Sequence, residues 1–116
     1  MHQAMPHVVK LLYEWRDQYW RMDDSEEALM PLREIVVANE ASIRWALDTV
    51  GAMSDEQKYA LRRRHPSLND PHGAPVAYAR DLVDFLTQPG YHSDLENVDD
   101  QVNVLTRVLG YAEFAD

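Results

Sequence analysis

Histidine is the side chain of this sequence best suited to bind metals or transfer protons near neutral pH. The chain has five: His2, His7, His65, His72 and His92. A catalytic zinc site needs three protein ligands in fixed geometry, two of which are often histidines one helical turn apart. No His-x-x-x-His or His-Glu-x-x-His spacing occurs, and the absence of cysteine excludes disulfides and cysteine-bound zinc. We therefore expect these histidines at helix ends and turns, with no metal site and no cofactor.

Carboxylates are concentrated between Asp94 and Asp100, in a run that superficially resembles a calcium-binding loop. An EF-hand loop requires glycine at its sixth position, but the sixth residue from Asp94 is Asp99. Carboxylates also favour the first turn of a helix, because the helix dipole is positive there. Asp99 and Asp100 are expected to have this role at the start of the last helix, in addition to any contact with a partner.

Motifs for nucleophilic catalysis and phosphate binding are absent from the sequence. It contains no Gly-x-Ser-x-Gly and no Gly-x-x-x-x-Gly-Lys, and four glycines leave little material for a loop that holds a ligand. Paired carboxylates are frequent, but in so acidic a chain they carry no specificity. We therefore expect a non-catalytic protein. An enzyme acting on a small ligand is the third alternative, and it would require an enclosed pocket with convergent polar groups.

The formal net charge is −9, and it is distributed unevenly. Residues 1–65 contain nine Lys or Arg and eleven Asp or Glu, whereas residues 66–116 contain two and nine. Direct nucleic-acid binding is not expected, because it requires Lys and Arg to neutralise phosphates. A basic protein surface is a better partner. The one basic cluster, Arg62 to Arg64, suits the negative end of a helix, with contact to phosphate or an acidic partner as the alternative.

Aromatic residues are present as three Trp, six Tyr and two Phe, and several fall outside the predicted core stripes. On the first helix, Val9, Tyr13 and Trp20 share a second face, roughly 100° or more from the main apolar stripe. Other helices of the chain can cover these side chains. Alternatively, they form a contact surface, since aromatic residues are enriched at protein interfaces. In that case these three residues are candidates for the interface of a homodimer.

The elements that position these residues are predicted to be helices, because apolar residues recur at helical spacing and no alternating strand pattern occurs. The first helix runs from about Pro6 to Met22. The segment Asp23-Asp24-Ser25-Glu26-Glu27 is a helix-start signature with Ser25 as the cap, and the helical spacing continues to Gly51. Pro31 interrupts it, so that either a helix ends near Met30 and another begins, or one helix kinks.

The later helices have clearer end signals. Ser54-x-x-Gln57 is a capping box for a helix to about Arg64, followed by a loop from Pro66 to Pro75. Two more helices cover about 75–87 and 97–109, with Gly110 as the expected C-cap of the last. The predicted core positions along the chain are Val8, Leu12, Trp15, Tyr19, Met22, Leu32, Ile35, Val36, Ile43, Ala46, Leu47, Val50, Ala79, Leu82, Val83, Leu86, Val98, Val102, Leu105 and Leu109.

Together these elements predict an all-α fold, a compact bundle of five or six helices in a single domain that spans residues 1–116. No signal peptide is evident, and the longest aliphatic stretch, Ile35 to Ala38, is far below the ~20 residues that span a bilayer. A cytoplasmic location and no membrane contact are therefore expected.

The leading functional hypothesis is an acidic inhibitor that binds and neutralises a basic, nucleic-acid-acting protein, as an immunity protein, antitoxin or phage anti-defence protein does. The concentration of negative charge after residue 66 and the lack of catalytic motifs favour it. A homo-oligomeric helical scaffold or regulatory protein is the alternative. The residues predicted to bind the partner are Asp81, Asp84, Tyr91, Asp94, Glu96, Asp99 and Asp100.

Overall fold

The computed structural model describes residues 5–19, 26–68, 76–88 and 98–114. Helices account for 92% of these residues and no strand occurs among them, which confirms the predicted all-α bundle. Within this part of the chain, no helix has the length and apolar character needed to cross a bilayer. The elements in chain order are α1 (Met5–Tyr19), α2 (Glu26–Ala38), α3 (Glu40–Gly51), α4 (Asp55–Arg64), a 3-10 segment (Pro66–Leu68), α5 (Val76–Thr87) and α6 (Val98–Glu113).

Helix α6 occupies the centre of the bundle because it is apolar on almost every side. Ten of its sixteen residues are buried, which is far more than the single inward stripe expected of a surface helix. It packs against α1, α3, α5 and the 3-10 segment, while α2 packs between α1 and α5 on the far side. Buried side chains from all six α-helices form one hydrophobic core.

Helix α1 buries the stripe that its sequence predicts, with Val8, Leu12 and Trp15 in the core and Tyr19 half-buried. The expected last position of this stripe, Met22, lies outside the described residues. Trp15 also forms a polar contact: its indole Nε1 donates a buried hydrogen bond of 2.6 Å to the main-chain carbonyl of Ala28. A large apolar ring with one satisfied donor therefore fixes the position of α1 against α2.

The proline at position 31 lies inside α2, which continues through it as one helix. Proline removes the hydrogen bond to the carbonyl four residues earlier, here that of Glu27. Glu27 is the second residue of α2 and is exposed, so the missing hydrogen bond lies at the surface, near the start of the helix. The loss is smaller than it would be in a buried helix interior, and Leu32 and Val36 beyond the proline remain in the core.

A break at Asn39 separates α2 from α3, whereas the apolar spacing predicted continuous helix from Pro31 to Gly51. Asn39 has a backbone outside the helical region, with φ −119° and ψ 19°. Its side-chain Nδ2 donates to the carbonyl of Ile35 at 2.8 Å. Asparagine competes in this way for carbonyls that helix propagation needs, and apolar periodicity does not register it.

The capping box predicted at the start of α4 is confirmed. The Ser54 hydroxyl accepts from the main-chain N–H of Gln57 at 3.1 Å, and the Gln57 side chain accepts from the N–H of Ser54 at 2.8 Å. Two donors that have no partner within the helix are thereby satisfied. Only Leu61 of α4 is fully buried, so this helix lies at the periphery of the bundle.

Gly110 does not end the last helix, as the sequence suggested, because α6 continues to Glu113. A Cβ atom at position 110 would lie 3.1 Å from the Cδ2 atom of Leu68. Glycine at this site allows the 3-10 segment to approach the helix closely. Its role is packing between two elements, which a rule based on helix ends cannot distinguish from capping.

Replacing Trp15 with phenylalanine should lower the free energy of unfolding by about 1–3 kcal/mol, because it removes a buried hydrogen bond and part of a core side chain. Urea denaturation measures the difference. Tyr13→Phe on the same helix is the matched control, since Tyr13 is 49% exposed and its change should be within about 0.5 kcal/mol. Equal values for the two variants would contradict the structural role of Trp15.

Candidate functional site

Asp84, one of the predicted partner-binding residues, forms an ion pair within the chain. Its Oδ1 lies 2.7 Å from Nη1 of Arg44, and the two side chains are 21% and 27% exposed. Arg44 also donates to Glu40 at 3.3 Å and to the Thr87 hydroxyl at 3.1 Å. This network joins α3 to the C-terminal half of α5, so Asp84 has a structural partner.

The guanidinium of Arg44 has a raised pKa. Partial burial lowers this pKa, but hydrogen bonds and charge attraction from Asp84 and Glu40 outweigh the effect of burial. A raised pKa in the folded state stabilises the fold at every pH at which arginine is charged. The contribution of Arg44 is therefore present at neutral pH, where arginine and carboxylate side chains are both charged.

Asp99 also has a partner within the chain. Its Oδ1 accepts from Nε of Arg16 at 3.0 Å, which connects the first turn of α6 to the last turn of α1. Asp81 and Asp100 are exposed, on α5 and α6. The other three predicted partner-binding residues, Tyr91, Asp94 and Glu96, lie outside the described residues.

A groove is open to the surface between α2 and α5, with a volume of about 320 Å³. Met30, on its α2 side, is 59% exposed although it is a large apolar residue. Arg33 Nε donates to the Leu86 carbonyl at 3.2 Å, so that this guanidinium is held at the C-terminal end of α5. The residues that define this α2–α5 groove are Glu26, Leu29, Met30, Arg33 and Phe85.

Further carboxylates and a second exposed apolar residue lie on the two helices that flank this groove. Val37 is 52% exposed and follows Met30 by two helical turns, which places both on the same side of α2. Glu27 and Glu34 are exposed on the same helix. Asp81 lies one turn before the groove residue Phe85 on α5. The surface therefore combines an apolar depression with a surplus of negative charge.

Sequence analysis missed this groove, although a signal was present. Met30 and Val37 are apolar residues that recur at helical spacing outside the stripe of Leu32 and Val36. Isolated apolar residues are common on protein surfaces, so such a pair has little weight until the neighbouring helix is known. Phe85 joins them only because α5 packs beside α2.

The residues predicted for a homodimer interface are in different environments. Tyr13 is 49% exposed, whereas Val9 is half-buried and packs against the core. Trp20 lies outside the described residues. On the described part of α1, Tyr13 alone of these residues is well exposed.

The basic cluster at the end of α4 surrounds a tyrosine. The guanidinium carbons of Arg62 and Arg63 lie 5.9 and 6.0 Å from the ring centre of Tyr59, within cation–π range. Arg62 Nη1 also donates to the hydroxyl of Tyr111 at 2.9 Å. The next residue, His65, stacks on Phe114 with ring centres 3.8 Å apart, consistent with the expected position of histidines at helix ends.

Among the described residues, no group of three or more His, Asp or Glu side chains is arranged to hold a metal ion. Comparison of the chain with known protein families, with curated proteins and with solved structures gives no match. The surfaces described above are therefore the basis for inferring a function.

Asp84→Asn should lower the free energy of unfolding by about 1–3 kcal/mol, because it leaves the half-buried charge of Arg44 without its closest partner. Asp17→Asn removes the same charge from an exposed position on α1, and its effect should stay below about 0.5 kcal/mol. Both are measured by urea denaturation at neutral pH. If the two variants lose the same stability, the Arg44–Asp84 pair contributes nothing specific.

Proposed function

We propose that this chain is a non-catalytic binding protein of the cytoplasm, whose acidic surface occupies and neutralises a basic protein. A protein that acts on nucleic acid is the expected target, because phosphate binding requires surface clusters of Lys and Arg. Immunity proteins, antitoxins and phage anti-defence proteins belong to this functional class.

The α2–α5 groove and its charged surroundings are the main support for this proposal. Protein interfaces combine apolar anchors at the centre with polar residues at the rim. Here Met30 and Phe85 provide apolar surface, and Glu26, Glu27 and Glu34 are on the same helix as Met30. Lys or Arg residues that flank an apolar side chain would complement this arrangement.

The arginines of the bundle give further support, because several are already neutralised. Arg16 pairs with Asp99, Arg44 with Asp84, and Arg80 with Asp48 at 3.2 Å, each on another helix. Such pairs leave the net charge of −9 unchanged and keep these three cations beside carboxylates of the same chain. The long-range field of the protein is consequently negative.

The mechanism is electrostatic attraction followed by occlusion. The negative field raises the rate at which a basic surface encounters the protein. An apolar side chain of the partner then enters the groove, and its neighbouring cations pair with the exposed glutamates. Asp81 and Asp100 extend the negative surface. Asp84 and Asp99 contribute to the negative electrostatic field only at long range. Direct contact with a partner would break their ion pairs with Arg44 and Arg16. Tyr91, Asp94 and Glu96 stay predicted contacts.

The first test concerns the partner and the salt dependence of association. A partner isolated by cross-linking and affinity purification should be basic. Its association rate with the purified protein, measured by stopped-flow fluorescence, should fall by about tenfold or more from low to high ionic strength. A partner that is not basic, or a rate that salt does not change, would refute the proposal.

The second test concerns the groove. Glu34→Lys and Met30→Ala should each weaken the complex by about tenfold, through charge reversal and through loss of an apolar anchor. The control is Glu113→Lys, which changes the net charge as Glu34→Lys does but lies on α6 beside Phe114. Calorimetry measures the three dissociation constants. Equal weakening by the two charge reversals would mean that net charge, and not this groove, determines binding.

A further inference from the structure

Helix α4 carries five residues on its outward face, four of them exposed and one, Arg62, half-buried. At 100° per residue, Asp55, Glu56, Arg62 and Arg63 all lie within about 60° of Tyr59 around the helix axis. Leu61, the buried residue of α4, points the opposite way. We call the group Asp55, Glu56, Tyr59, Arg62 and Arg63 the α4 face. It lies on a peripheral helix and is separate from the α2–α5 groove.

The charges of the α4 face are opposite on its two sides. Asp55 and Arg63 are each four residues from Tyr59, and Glu56 and Arg62 are each three residues from it. In an antiparallel copy related by a two-fold axis beside Tyr59, the acidic residues of one helix therefore lie at the level of the basic residues of the other. The axis keeps each residue on its own lateral side of the contact, so Asp55 of one copy lies nearest Arg62 of the other, and Glu56 nearest Arg63.

We propose that the α4 face is a self-complementary interface through which two copies of this chain form a symmetric, antiparallel dimer. Tyr59 lies on the two-fold axis and contacts its own counterpart. Four ion pairs surround it, two of each kind, as the symmetry of an isologous interface requires. This dimer is independent of the proposed binding of a basic partner.

The described side chains are suited to such a contact. Tyr59 is 57% exposed, and Asp55, Glu56 and Arg63 are exposed as well. Within the described part of the chain, Arg63 has no carboxylate partner, in contrast to the arginine pairs between helices. The hydrogen bond from Arg62 to the Tyr111 hydroxyl holds its guanidinium near the Tyr59 ring before association, which reduces the entropy lost on binding.

The order of the charges favours a second copy over other occupants. A uniformly acidic surface, or the phosphates of nucleic acid, would attract Arg62 and Arg63 but repel Asp55 and Glu56. A uniformly basic surface would do the reverse. The required partner carries the same charges at the same spacing in reverse order, and the antiparallel α4 of a second copy meets this requirement.

The dimer should be weak. Each α4 has ten residues, so a contact between two of them falls at the small end of specific interfaces. Ion pairs at an exposed surface also contribute little individually and are screened by salt. Association should therefore increase with protein concentration and decrease with ionic strength. Because α4 does not line the α2–α5 groove, the dimer would carry two accessible grooves.

Charge reversal tests the pairing. Glu56→Arg and Arg63→Glu each turn two symmetry-related attractions into repulsions and should weaken dimerisation by about tenfold or more. The double variant Glu56→Arg/Arg63→Glu restores opposite charges across the axis and should dimerise as the unaltered chain does. An equimolar mixture of the two single variants should also associate. Sedimentation equilibrium at several concentrations measures each constant, with circular dichroism to confirm folding.

A charge reversal outside the α4 face controls for the change in net charge. Lys10→Glu on α1 changes the net charge as Arg63→Glu does, and should leave dimerisation within about twofold of the unaltered value. A monomer at all concentrations would overturn the proposal. Failure of both the double variant and the mixture to restore association would overturn it as well, because it would show that general charge effects dominate.

Cross-linking locates the axis. The chain has no cysteine, so one introduced residue gives a unique thiol. Tyr59→Cys should form a covalent dimer under mild oxidation, because a residue on a two-fold axis lies beside its own copy. Tyr13→Cys, on the α1 surface that the sequence offered as a dimer interface, should form much less covalent dimer. Covalent dimers from Tyr13→Cys but not from Tyr59→Cys would place the interface on α1 and overturn the assignment to α4.

Discussion

The burial of α6 on almost every side is the constraint that organises this protein. Because α6 packs against α1, α3 and α5, each of these helices must present an apolar stripe toward the same axis. Polar contacts are consequently placed near the two ends of α6, where Asp99 meets Arg16 and Tyr111 meets Arg62. These contacts fix the ends of the central helix without introducing charge into the core.

The same arrangement separates charged residues that hold the fold from those available to a partner. Arg16, Arg44 and Arg80 each connect two helices through a carboxylate, so these arginines belong to the fold. The carboxylates along the outer side of α2 have a different setting, beside exposed apolar residues and an open groove. This division supports a binding function based on surface charge, and it moves the proposed contact from the acidic C-terminal region toward α2.

Much of the fold could be predicted from local chemistry. The buried stripe of α1 and the capping box of α4 depend on residues within one or two turns of each other, and both are confirmed. The break at Asn39 could not be predicted, because it depends on a side chain that competes for the carbonyl of Ile35. The continuation of α6 through Gly110 could not be predicted either, because there the glycine serves a close approach by Leu68. Spacing alone does not contain that information.

The candidate site was less predictable for a related reason. A carboxylate in the sequence does not indicate whether it will have an arginine partner on a distant helix. Asp84 and Arg44 are forty residues apart, and Asp99 and Arg16 are eighty-three apart. The groove likewise requires α2 and α5 to be neighbours, which depends on how all helices pack around α6.

The position of α6 in the chain has a consequence for synthesis. It follows the five other described α-helices, so it leaves the ribosome after them. Its contacts with α1 join the first and last helices of the described chain. Until residues near Ala112 have emerged, the inward stripes of α1, α3 and α5 have no central helix to cover them. The nascent chain therefore exposes apolar surface until α6 packs against these helices, and the core is completed only by the last described helix.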